Sequence, residues 1–148
     1  MDERFEDSSN LDKLKELQSE LLVTEQELIK RDALLAAIVQ SAQDAIIARD
    51  LTGTIIVWNK AAEDLYGWTA EEMIGDKIYK IIPDQQIEEH ERFIDAIRHG
   101  QSTGPTKTVR RTKDGKLVHI TLTVSPIIAR NEEVIGASAI EHEIFDNE

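Results

Sequence analysis

Among the side chains of this sequence that could do chemistry, His90 has the most telling surroundings. Ile87, Ile94 and Ile97 flank it at helical spacing, so one imidazole shares a stripe with three isoleucines. Such a histidine points inward. A neutral imidazole on an apolar wall is the usual axial ligand of a haem iron, and it is equally a hydrogen-bonded residue of a core or its rim. The other histidines stand apart: His119 on the polar parity of an alternating run, His99 beside a helix end, His142 beside an acidic tail. No two have the close spacing of a metal site, and no Ser, His and Asp cluster marks a nucleophile. The 29 Asp and Glu residues form no persuasive acid–base pair, so the chain reads as non-enzymatic. The absence of cysteine excludes disulfides, thiolate metal sites, cysteine nucleophiles and cysteinyl photo-adducts.

The element that would carry His90 opens at Pro83-Asp84 and runs through Ile97, stopping near Gly100. Before it, Asn59 is placed to cap KAAEDLY with Gly67 to end that helix, and Thr69-Ala70-Glu71-Glu72 reads as a capping box closed by Gly75. Strands flank these short helices. DAIIARD and TIIVWN are β-branched runs around Leu51-Thr52-Gly53; KTVRRT and LVHITLTV join across Lys113-Asp114-Gly115-Lys116; Arg130-Asn131-Glu132 turns into VIGASAI. Val118, Ile120, Leu122 and Val124 share one parity, with His119, Thr121 and Thr123 on the other. Two strands, several short helices and three strands describe an α+β domain: an antiparallel sheet of about five strands with its helices mainly on one face.

The opening third has neither Gly nor Pro, so one long helix can run there, with Ser8, Ser9 or Asn10 as its cap. Leu14, Leu21, Leu28 and Leu35 recur every seven residues, the mark of a coiled-coil seam. The second seam column holds Leu17 and Ile38 but also Thr24 and Arg31, and Leu22 and Ile29 widen the stripe on one side. A twin helix in a homodimer and the surface of the chain's own domain are both natural partners for such a face. The expected organisation is a helix over residues 1–36, a domain over 37–142 and an acidic tail over 143–148.

A net charge of −12 argues against nucleic-acid and anionic-membrane surfaces. The acidity belongs to the flanks: residues 1–32 hold ten acids and five bases, residues 132–148 six acids and no base, the stretch between them thirteen acids and twelve bases. No apolar run approaches the roughly 20 residues needed to span a bilayer, and MDERFEDSSN lacks the basic and apolar parts of a signal peptide. The expectation is a cytoplasmic protein.

SAQDAIIARD, LTGTIIVWNKAAEDLYGWTAEEMIGDKI, RRTKDGKLVHITLTVSPI and VIGASAI together resemble the PAS family over roughly residues 37–140, most strongly in WNKAAEDLYGW. The resemblance implies the PAS fold and a role in sensing and signalling, with haem, flavin, a small metabolite or no ligand in the pocket. Haem-binding members place the iron ligand on the helix that carries His90, and EEHERFIDAI is similar to that pattern; histidine also occurs there in members without haem. Such members often supply an arginine from the next strand, where Thr106 stands here. The resemblance treats Trp58 and Trp68 as packing residues. Members that feed an effector end in an Asp-Ile-Thr type junction, for which this chain has Glu143-Ile144-Phe145. The starting Met and the acidic ending favour a freestanding regulator over a module cut from a larger sensor.

The expected function is a bacterial PAS signalling module without cofactor, acting through homodimerisation by Leu14, Leu17, Leu21, Leu28 and Leu35 and through contact with a histidine kinase or response regulator. The alternative is a ligand sensor whose pocket binds haem through His90, or a small metabolite, against Ile87, Ile94 and Ile97.

Overall fold

A computed structural model describes residues 3–145. The opening helix, α1, spans Glu3–Ser41 and at 1.5 Å per residue is about 58 Å long. It passes through Ser8, Ser9 and Asn10, so none of these caps it: a polar residue ends a helix only if the preceding residues leave it, and the acidic segment before Ser8 does not. The chain divides into two compact units, one ending at Ile38 and one beginning at Val39. The first is α1 alone, with Leu14, Leu17, Leu21, Leu28 and Leu35 all exposed.

The second unit is a five-stranded antiparallel sheet in the order β2-β1-β5-β4-β3, in line with the α+β expectation. Its strands are β1 (Ala45–Asp50), β2 (Ile55–Trp58), β3 (Thr103–Arg111), β4 (Leu117–Ile128) and β5 (Val134–Glu143). Between β2 and β3 lie α2 (Lys60–Tyr66), α3 (Ala70–Met73), 3-10 turns at Ile78–Ile81 and Asp84–Gln86, and α4 (Ile87–Arg98). The last strand runs beyond VIGASAI to Glu143, and Ile144 still donates its N–H to the His119 carbonyl; residues 146–148 of the expected tail lie outside the described residues.

Local chemistry explains the boundaries. Asp50 Oδ1 accepts from the N–H groups of Thr52 and Thr54 and from the Thr52 hydroxyl, while Gly53 takes the left-handed φ of 92° that closes the β1–β2 turn. Asn59 is buried and fully used. Its Oδ1 accepts from Ala62 N at 3.0 Å and Ile46 N at 2.9 Å, and its Nδ2 donates to the carbonyls of Val39 and Asp44. One side chain thus caps α2 and ties it to β1 and to the chain entering the sheet. Thr69 and Glu72 form the expected capping box at α3.

The core lies between the sheet and the short helices. Ile120, Leu122 and Val124 are buried and Val118 half-buried on one parity of β4, with His119 exposed on the other. Trp58 packs against Tyr66 and donates its indole N–H to the Trp68 carbonyl at 2.9 Å. Trp68 is half-buried, with the ammonium groups of Lys80 and Lys113 at 4.7 and 5.1 Å from its ring centre.

Candidate functional site

Between the sheet and α4 lies an interior cavity of about 30 Å³. His90, Phe93 and Ile94 reach it from α4, Ile78 and Ile82 from the segment before it, and Leu122 and Val124 from β4. His90 and Ile94, predicted together, share this wall. Ile87 and Ile97 do not line it: Ile87 packs half-buried beside the Trp58 and Tyr66 cluster, and Ile97 is buried with Ile120. The helical stripe is therefore divided between cavity and core.

Three charged residues also line the cavity: Arg49 from β1, Arg110 from β3 and Glu141 from β5, all buried. Arg49 NH1 lies 2.5 Å from His90 Nε2. A guanidinium can only donate, so Nε2 accepts and the imidazole proton resides on Nδ1. Burial, followed by the positive charges of Arg49 and Arg110, pushes the His90 pKa down to about 3. The ring is a neutral acceptor, with Tyr79 edge-on to it at 5.5 Å. Arg49 is anchored by Nε to the Asp50 carbonyl at 3.1 Å, and its pKa is lowered by burial against the partial compensation of Tyr79, Glu91 and Asp50.

Arg110 donates to the Val109 carbonyl at 2.9 Å and to the Thr108 hydroxyl at 3.3 Å, and that hydroxyl bonds Glu89 of α4. Glu141 is the opposite case. Burial raises its pKa to about 7, only partly offset by Arg110 and Tyr66. The Tyr66 hydroxyl and the Glu141 carboxyl lie close enough to act on each other's pKa, but neither that hydroxyl nor Glu141 Oε2 makes a well-formed hydrogen bond.

Residue reasoning missed this cluster although the signal was present. Arg49 shares strand parity with Ala45 and Ile47, Arg110 is paired with Val118, and Glu141 shares parity with Ala137 and Ala139. Each is a charge on an inward parity, where burial requires a partner. On the strand after α4 an arginine, Arg110, lines the cavity, whereas Thr106 is half-buried and is not among the lining residues. His119 is exposed, His99 bonds the Asp95 carbonyl at the end of α4, and His142 Nδ1 stands 3.1 Å from Asp44. No group of three Asp, Glu or His among the described residues could hold a metal ion.

A haem does not fit this arrangement. The Nε2 lone pair needed for iron already accepts from Arg49, and the cavity has room for roughly two water molecules, against the several hundred Å³ typical of cofactor pockets. The site holds a neutral imidazole, two guanidiniums and one titratable carboxyl in a low-dielectric interior, contributed by β1, β3, β5 and α4.

The comparisons agree with this architecture. The family model described as PAS fold matches residues 33–144. The chain is similar to the sensor protein FixL of Bradyrhizobium diazoefficiens, 32% identical over 68 residues, which is 46% of this chain and 14% of that protein. An uncharacterised protein of Azorhizobium caulinodans is 32% identical over 114 residues, 72% of this chain and 15% of that one. The chain therefore spans only a small part of the length of either curated relative. A PAS domain from Colwellia psychrerythraea superposes with a TM-score of 0.69 at 29% identity, covering 79% of this chain and 97% of that structure. The sheet order, the short helices over one of its faces and the family match agree: this chain belongs to the PAS fold family.

Proposed function

We propose that this protein is a signalling module that works as a homodimer through α1 and passes its state to another signalling protein, such as a histidine kinase or response regulator, by direct contact. The observation that carries the reading is the uncovered seam of α1: Leu14, Leu21 and Leu35 are 56–60% exposed and Leu28 is 49% exposed. Covering a leucine contributes about 1.5–3 kcal/mol, so a row of them on a two-sided match is enough to hold twin helices together. The likeness to a sensor protein over 68 residues supports the signalling context. Sedimentation of the wild type and of Leu21→Lys/Leu28→Lys tests the reading. A dimer of the 16.7 kDa chain that becomes a folded monomer in the variant supports it, and an unchanged mass, or a monomeric wild type, overturns it.

The charged cluster around the cavity favours a second reading, in which the module senses a compact ligand at the His90–Arg49 contact. The small cavity and the engaged Nε2 support a ligand more compact than haem. An absorption spectrum with added haem checks this: a flat visible region is expected, and a Soret band abolished by His90→Ala would restore haem.

A further inference from the structure

Where β5 ends, a groove of about 300 Å³ opens between the start of β1, α2 and the last strand. Asp44, Asp64, Glu141 and Glu143 line it, with Leu65 and Phe145 as its large apolar walls. Among the described residues its positive complement is thin. His142 stands at Asp44, and Lys60 pairs with Asp64 at 3.0 Å in an exposed contact that contributes little. Glu141 adds an independent demand: the residue is 3% exposed and lines both this groove and the interior cavity, and although Arg110 and Tyr66 partly offset its burial, no well-formed hydrogen bond reaches its Oε2. A buried carboxylate oxygen without a donor is costly, and a cation arriving from the groove would offset that cost.

The spread of the carboxylates selects the kind of cation. No three acidic or histidine side chains among the described residues converge closely enough for one metal ion. The charge is distributed along a groove whose volume suits a long side chain, and its apolar walls suit the methylene stem of such a side chain. We propose that this groove receives a lysine or arginine side chain of a protein partner, with Glu141 and Glu143 facing the cationic head and Leu65 and Phe145 packing its stem. The proposal rests on the reading of the chain as a module that works through protein contacts, but not on its dimerisation. It adds the chemistry of the contact: a basic residue set in an apolar or neutral segment.

Isotope-labelled full-length protein is titrated with acetyl-Ala-Arg-Ala-amide and acetyl-Ala-Lys-Ala-amide, with acetyl-Ala-Leu-Ala-amide and calcium chloride as comparisons, and followed by amide chemical shifts. The expected result is that the two basic peptides shift the amides of Asp44, Asp64, Leu65 and Glu141 through Phe145, and the leucine peptide does not. Asp64→Asn/Glu143→Gln, surface changes that leave the core intact, should weaken the response about tenfold, the sum of two partly exposed ion pairs. Glu141→Gln should weaken it separately at pH 8, where the Glu141 carboxyl is ionised. Equal shifts with the neutral peptide, larger shifts with calcium than with either basic peptide, shifts spread equally over the acids of α1, or variants that bind like wild type would each overturn the proposal. Groove-confined binding by a monomeric protein supports it while removing the dimer; an intact dimer that ignores the basic peptides overturns the groove alone.

Discussion

His90 and Glu141 respond to pH in opposite directions, and each can be measured against its own variant. The Glu141 pKa of about 7 lies above its ordinary 4.5, so the fold favours the protonated acid. Its stabilising contribution is complete below pH 4.5 and is lost as pH rises through 7, a change on the order of 3 kcal/mol. Glu141→Gln should therefore be more stable than wild type at pH 8 and close to it at pH 4.5, as read by urea unfolding at the two pH values. The opposite ordering would show that Arg110 holds the ionised carboxylate in the fold. The His90 pKa is lowered to about 3 from 6.5, so its contribution is complete above pH 6.5 and is lost as pH falls toward 3. His90→Gln keeps an acceptor for Arg49 without a titrating ring. It should flatten the acid limb of the stability profile, whereas an unchanged acid limb would show that His90 is not the group responsible. The spacing of His90 from Ile87, Ile94 and Ile97 made its burial readable. Its partner Arg49 was not readable, because 41 residues separate them and only the packing of α4 against the sheet brings the two together.

Asn59 and Gly136 hold the elements around this site. Asn59 was legible as a helix cap from its position before KAAEDLY, but its bonds to Ile46, Val39 and Asp44 were not, since they depend on where β1 passes. Asn59→Ala removes the cap and strands buried backbone groups on two further segments. A loss of about 2–4 kcal/mol is expected in equilibrium unfolding, more than the roughly 1 kcal/mol of an ordinary exposed cap. A loss no larger than that would mean that water replaces the bonds at no cost. At Gly136 the backbones of β5 and β1 approach so closely that a Cβ would run into the Arg49 carbonyl. Gly136→Ala should lower the melting temperature and disturb the Arg49–His90 contact, visible as altered ring signals of His90; a native spectrum and stability would show that the strands can part there without loss. β4, by contrast, could be read almost residue by residue, because one face is buried and alternation is then enforced by the pleat.

At the scale of the molecule, the compact unit beginning at Val39 contains the whole sheet and both core clusters, while α1 up to Ile38 is a unit of its own. A fragment starting at Val39 should keep a cooperative thermal transition and native strand signals and should sediment as a monomer; a fragment that fails to fold would make α1 part of the core. The flanking acidity, the heptad of leucines, the turns and caps of the sheet-bearing unit and the α+β order of elements were determined by the sequence itself, because each rests on contacts or periodicities within a few residues. Membership of the PAS fold followed from the same local blocks. The cavity, the meeting of Arg49 with His90, the buried Glu141 with its incomplete compensation and the groove beside it were decided only by the tertiary structure. They arise where strands distant in sequence become neighbours, and a linear pattern can mark a charge as inward-facing but cannot say which group it will face.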